Sequence, residues 1–296
     1  MRGSFRSSLD LLYDKLSGVS AGALVVPFVV FETVLFLGAG VYLLRVSLAE
    51  PTALSAFEEG TWTVSNYLDV MTDEYLMGRL SYSIRLGAVV TAVTVPLGFV
   101  YAYAAWRAEG RRKITLLSGV LVALLISIVI KVYAWVILLS PEGVINRLLV
   151  GTVTDSPVSL LGNSFGVVVG LVYSMLPYVV LTVYSVLATL DERSIEAARD
   201  LGAGRLRSVY EVVLPGAAPG VIAASVVCFS WSSVAYAAPV FLGSPSERTV
   251  AVEVGRLFTQ SFDWSHAAAL GVISMVAILS TAGAGTLTYT AWRRYM

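Results

Sequence analysis

Charge is scarce in this sequence. Asp, Glu, Lys and Arg make up 14% of its 296 residues, where soluble domains carry about 25%. The charge present is balanced, 20 Lys+Arg against 20 Asp+Glu. There is therefore no basic stripe of the kind a nucleic-acid partner needs. Histidine and cysteine occur once each, as His266 and Cys228. A single cysteine closes no internal disulfide, and a single histidine excludes a His-cluster metal centre. No G-x-x-x-x-G-K-[ST] segment occurs, so the chain has no P-loop to cradle nucleotide phosphates. Catalytic triads and nucleophile elbows are missing as well.

What the chain has instead is apolar side chain. Hydrophobic residues reach 57% and the mean hydropathy is +0.78. Such an excess calls for lipid as solvent. A spanning helix needs about 20 mostly apolar residues, and six runs qualify: about 21–44, 84–105, 115–139, 165–187, 217–241 and 267–289. None alternates with period two, which argues against a β-barrel. Backbone polar groups in lipid must be satisfied internally, so the runs are expected to be helices of an all-α integral membrane protein. The first run is too long for a signal-peptide core and is followed by further spans. Residues 21–292 thus read as one transmembrane domain.

Orientation follows from Lys and Arg in the connections. Thirteen fall on one side: Arg2, Arg6, Lys15, Arg107, Arg111, Arg112, Lys113, Arg193, Arg199, Arg205, Arg207, Arg293 and Arg294. Six fall on the other, and Lys131 lies within a span. The richer side is expected to be cytoplasmic, with both termini inside a plasma or inner membrane. Residues 1–20 precede the first run. Within them Leu9, Leu12, Tyr13 and Leu16 share one helical face, which suggests an amphipathic segment lying on the cytoplasmic membrane surface.

Ionisable and aromatic residues inside the runs are candidates for a solute path. Glu32 sits near the middle of the first span, where a charge costs about 2.5–3.5 kcal/mol. It either faces a cavity and favours a cationic solute, or pairs with Lys131 of the third span. Tyr133 and Trp135 can stack on a cation or serve packing. Gly166 and Gly170 permit close helix approach.

The most informative connection is 191–215, DERSIEAARDLGAGRLRSVYEVVLP. Asp191 can cap a helix start. Ile195, Ala198 and Leu201 give a small apolar face, while Glu192, Glu196 and Asp200 share another. Gly202 stands where a left-handed helix cap is wanted. A second short helix is expected to stop at Pro215. The pattern Glu196-Ala197-Ala198, Gly202 and Val212-Val213-Leu214-Pro215 resembles the EAA loop of ABC-importer permeases. Valine at 212 stands in place of the usual isoleucine. Val132 to Leu139, Gly143 to Asn146, Asn66-Tyr67, Ser83 to Leu86, Gly170 to Tyr173, Leu176-Pro177 and Leu190-Asp191 are similar to the spermidine/putrescine branch of that family.

The resemblance implies a type I ABC-importer permease fold with a cytoplasmic coupling helix. Glu196, Ala197, Ala198, Asp200, Gly202, Leu214 and Pro215 would then meet the ATPase. It implies two ATPase subunits that hold ATP and Mg, with no cofactor on this chain. It also implies a second permease subunit, expected to be a different homologous chain, and an extracytoplasmic solute-binding protein. The expected solute is spermidine or putrescine, with another small organic cation or an amino-acid-like solute as the alternative. An ion-coupled secondary transporter is a more distant reading. It would want more intramembrane carboxylates than Glu32 and an inverted repeat.

Overall fold

The computed structural model describes residues 21–52, 57, 58, 60–150, 152, 156–191 and 204–294. The segment 1–20 and residues 192–203 of the 191–215 connection lie outside them. Among the described residues, twelve α-helices follow in chain order. They are α1 Ala21–Ser47, α2 Ser65–Thr72, α3 Glu74–Arg107, α4 Gly110–Leu125, α5 Ile128–Leu139 and α6 Val144–Leu149. They continue with α7 Ser164–Leu187, α8 Arg205–Ser208, α9 Leu214–Ser233, α10 Ala237–Leu242, α11 Val250–Arg256 and α12 Trp264–Arg294. No β-strand occurs among the described residues. Six helical stretches there are long and apolar enough to cross a membrane.

The centre is a triangle of α3, α7 and α9, each packed on the other two. The buried residues of α3 explain why. Leu76, Leu80, Ser83, Gly87, Val90, Thr94, Gly98, Ala102 and Ala105 recur every three or four positions, which draws one stripe along a helix. At 34 residues, α3 is about 51 Å long and outreaches the hydrocarbon layer. Asp73 starts it, its carboxylate accepting from the Leu76 amide at 3.1 Å. Small residues set the crossings, because in lipid helices associate through close packing rather than hydrophobic burial. A Cβ on Gly87 would lie 2.1 Å from Ser233 Oγ, and one on Gly98 would lie 2.4 Å from Val179 Cγ1. Gly166 and Gly170 likewise admit α10: a Cβ on Gly170 would meet Leu242 Cδ1 at 2.4 Å.

The remaining helices dress this triangle. Helix α4 lies against α3 and α7, and α5 against α7 and α10. Helix α12 packs on α2, α9 and α11, and it is the chief neighbour of α1. Pairs of glycines at tight and open sites give opposite expectations. Gly98→Ala must displace Val179, which is 2% exposed, and should cost about 1–3 kcal/mol. Gly119→Ala meets nothing nearer than the Tyr101 hydroxyl at 3.6 Å and should gain up to about 1 kcal/mol from helix propensity. Thermal unfolding in detergent should therefore shift Tm down for the first and level or up for the second.

Two expectations are corrected. The third apolar run is not one helix: α4 ends at Leu125, Ile126 and Ser127 are extended, and α5 begins at Ile128. Neither proline nor glycine marks the break. A β-branched stretch, Ile126 and Ile128 to Ile130, with Ser127 inside it, lowers helix propensity there. The fifth run also ends early, at Ser233 rather than near 241.

Candidate functional site

The 191–215 connection departs from and returns to helix ends that are packed together. A Cβ on Gly216 would meet Leu190 Cδ2 at 2.8 Å, and one on Gly220 would meet Val186 Cγ2 at 2.9 Å. Glu196, Ala197, Ala198, Asp200 and Gly202 lie outside the described residues. Leu214 and Pro215 lie within them, at the start of α9. The helix does not stop at Pro215. Helix α8 runs through a wide turn, Val209–Val213, directly into α9. The Leu214 amide bonds to the Val209 carbonyl, five residues back. Proline has no amide to continue the ladder, and the widened turn ahead of it absorbs that gap. An exposed pair, Arg207 Nε to Glu211 Oε1 at 2.8 Å, rides on this turn.

Leu214 and Pro215 also line an apolar groove of about 930 Å³ bounded by α3, α9 and α12. Ala88, Ala92, Ala218 and Gly285 keep its walls low. The groove thus reaches from the return point of the connection along the flank of the central triangle.

The four path candidates separate. Glu32 is half-buried on α1 and forms no ion pair with Lys131. The two sit on helices that share no neighbour of note, since α1 leans on α12 and α5 on α7 and α10. Lys131 is 5% exposed, beside Val132 of the core. Tyr133 is half-exposed and its ring lies 5.0 Å from that of Phe241. Trp135 stands edge-on to Tyr173, centroids 5.7 Å apart. Lys131, Tyr133 and Trp135 are therefore grouped around α5, and Glu32 is not with them.

The end of the bundle opposite to Pro215 holds polar side chains that sequence reasoning missed. Glu253 on α11 is fully buried. Its Oε1 accepts from Arg256 Nη2 at 2.6 Å and from Nε at 2.8 Å, and its Oε2 accepts from the Tyr75 hydroxyl at 3.1 Å. Ser83 Oγ accepts from the Val250 amide at 2.8 Å, and Thr249 Oγ1 donates to the Ala235 carbonyl at 2.6 Å. These bonds lock α11 onto α3 and onto the break between α9 and α10. The signal available in sequence was the Glu253-x-x-Arg256 spacing, which favours an intrahelical pair.

Asparagines close other ends here. Asn66 Nδ2 donates to the Ser47 and Ala49 carbonyls at 2.9 and 2.8 Å, which satisfies the last carbonyl of α1 and one just beyond it. Asn146 bridges the Ser140 carbonyl and the Val158 amide. Asp263 accepts from the His266 ring at 2.9 Å, and the other ring nitrogen faces Asp69 of α2 at 3.5 Å.

Burial alone would raise Glu247, but bonds from Ser244, Ser246 and Ser164 outweigh it and hold the carboxyl below the usual range. A depressed carboxyl stabilises the fold above its unfolded pKa. That contribution is lost as pH falls through the lower folded value.

Comparison with known proteins is consistent with this architecture. Residues 94–294 match the family described as "Binding-protein-dependent transport system inner membrane component". The chain is 26% identical to the spermidine/putrescine transport system permease protein PotB of Haemophilus influenzae, over 73% of this chain and 77% of that one. It is 25% identical to PotB of Escherichia coli strain K12, over 81% and 85%. A crystal structure of a bacterial ABC transporter involved in the import of the acidic polysaccharide alginate contains a chain of the same fold. That chain superposes with a TM-score of 0.75 at 17% identity, over 98% of this chain and 99% of its own length. Six helical stretches among the described residues that are long and apolar enough to cross a membrane, set around a three-helix centre, together with a family match over more than half the sequence, place the protein: it belongs to the binding-protein-dependent inner membrane components, as a permease subunit of an ABC importer.

Proposed function

We propose that this permease carries spermidine or putrescine inward, delivered by an extracytoplasmic solute-binding protein and driven by two separate ATPase subunits that hold ATP and Mg. The similarity to PotB over 81% of the chain is the observation that supports the solute. The Glu196 to Pro215 pattern supports the coupling. In this reading the 191–215 connection is cytoplasmic, as are both termini, and Glu196, Ala197, Ala198, Asp200 and Gly202 dock against the ATPase. A second, homologous permease completes the pathway. ATP drives the change of access because it binds one conformer more tightly than the other.

Lys131 favours a second reading of the solute. A lysine that is 5% exposed as a residue, its ammonium without a hydrogen bond or ion pair to another described residue, suits a partner with a carboxylate. An amino-acid-like solute would supply one, and a diamine would be repelled. Uptake of labelled putrescine and spermidine in cells expressing the chain with its partner permease, ATPase and binding protein tests the two. Saturable uptake of either polyamine supports the first. A correctly assembled but inert complex whose binding protein retains an amino acid supports the second.

A further inference from the structure

The turn between α3 and α4 gathers arginines around one cavity. Arg107, Arg111 and Arg112 line a concavity of about 760 Å³, together with Glu109, Ala104 and Leu116. None of the three guanidinium groups makes a hydrogen bond or ion pair with another described residue. Arg107 lies only loosely beside the Trp106 ring, at 5.9 Å. The three arginines are solvent-exposed and without protein partners among the described residues, over a small apolar surface from Ala104, Ala108 and Leu116. Glu109 offsets one of the three charges, so the cavity stays cationic.

The geometry is built rather than incidental. Gly110 has φ +54, a left-handed conformation that glycine adopts at little cost. It reverses the chain in a few residues, which brings Arg111 and Arg112 of α4 back beside Arg107 of α3. The Tyr101 hydroxyl donates to the Leu116 carbonyl at 2.9 Å and clamps the two helices one turn inside. The α4 amide end points the same way: Glu109 in the capping position makes no side-chain bond to it. Such an end favours an anion.

Position identifies the ligand class. The cavity lies where a membrane-crossing helix ends, next to aromatic residues of the kind found at a lipid boundary. Tyr103 and Trp106 rings stand 6.0 Å apart, and Lys113 faces the Tyr184 ring at 5.8 Å. We infer that the Arg107/Arg111/Arg112 cavity holds the phosphate of an anionic phospholipid headgroup, with the acyl chains descending along α3 and α4. Basic pockets between membrane helices bind such headgroups. The site is separate from the solute path and does not depend on which solute is carried.

The test uses the assembled transporter, exchanged into vesicles of phosphatidylcholine and phosphatidylglycerol in equal amounts and then re-extracted in mild detergent. Retained lipid is quantified by mass spectrometry. Phosphatidylglycerol should be enriched over phosphatidylcholine. The enrichment should fall by about 5-fold for each arginine lost in the series ending at R107Q/R111Q/R112Q. The charge-conserving R107K/R111K/R112K should keep most of it and guards against misfolding, and Arg207→Gln, outside the cavity, should keep all of it. Equal retention of the two lipids by the wild type would overturn the assignment. So would undiminished enrichment in the triple glutamine variant, or displacement of the lipid by inorganic phosphate, which would mark a soluble anion. Enrichment by the chain alone but not by the assembled transporter would also overturn it, and would assign the arginines to a protein partner.

Discussion

Gly202→Asp is expected to abolish uptake while leaving the amount of protein in the membrane unchanged. The helix ends that flank the connection are held by contacts of their own. Gly216 fits against Leu190 and Gly220 against Val186, and Val213 is fully buried. A change inside the connection leaves these contacts alone, so insertion and packing survive. What is lost is the turn that the sequence leads us to expect at Gly202. An aspartate in a left-handed cap costs about 1 kcal/mol, and a new carboxylate is added beside Glu196 and Asp200 in a segment proposed to dock on another protein. In the proposed reading, the energy for transport reaches the chain through that docking. Uptake and membrane abundance measured side by side check this. Normal uptake in the variant would remove the 191–215 connection from the coupling role.

Glu253→Gln is expected to give a large loss of stability for a change of one atom. The carboxylate is fully buried and receives three hydrogen bonds, two from Arg256 and one from Tyr75. Arg256 is about a third exposed, so solvent screens part of the pair. Charged hydrogen bonds of this kind contribute about 1.5–3 kcal/mol. Glutamine keeps the shape but loses the charge, and its amide nitrogen meets a donor. Tyr75→Phe removes only one bond to a group that remains paired, and should cost about 0.5–1.5 kcal/mol. Removing both charges with E253Q/R256Q should cost less than the sum of the single changes, because a lone buried charge is worse than none. Thermal unfolding of the wild type, E253Q, R256Q and E253Q/R256Q in one detergent gives the cycle. Additive losses would mean that the pair contributes no coupling and that α11 is held by packing and by the Ser83 and Thr249 bonds.

Much of the architecture was legible because lipid imposes a simple rule. Length and apolarity located the membrane-crossing stretches, but the start of α3 at Glu74, ten residues ahead of the expected run and capped by Asp73, was not read. The breaks were not legible. Ile126 and Ser127 interrupt a run that looks continuous in composition, since the interruption comes from a β-branched cluster rather than from proline or glycine. Pro215 misled in the opposite sense. It reads as a stop, yet the widened turn at Val209–Val213 carries the helix through. Glu32 and Lys131 looked like partners because both are charges in apolar runs. Their separation depends on which helices pack together, α1 on α12 and α5 on α10, and no local pattern encodes that. Glu253 was hidden for the same reason. Its burial is made by Tyr75, 178 positions away in the chain.

The central claim is that this permease is driven by ATP bound on another subunit. The most direct measurement is solute uptake into vesicles holding the full assembly, with ATP enclosed and the binding protein outside, compared with an assembly whose ATPase cannot hydrolyse. Uptake that needs ATP and is lost with the inactive ATPase is the expected result. Uptake that persists without ATP hydrolysis and follows an imposed ion gradient would contradict the account.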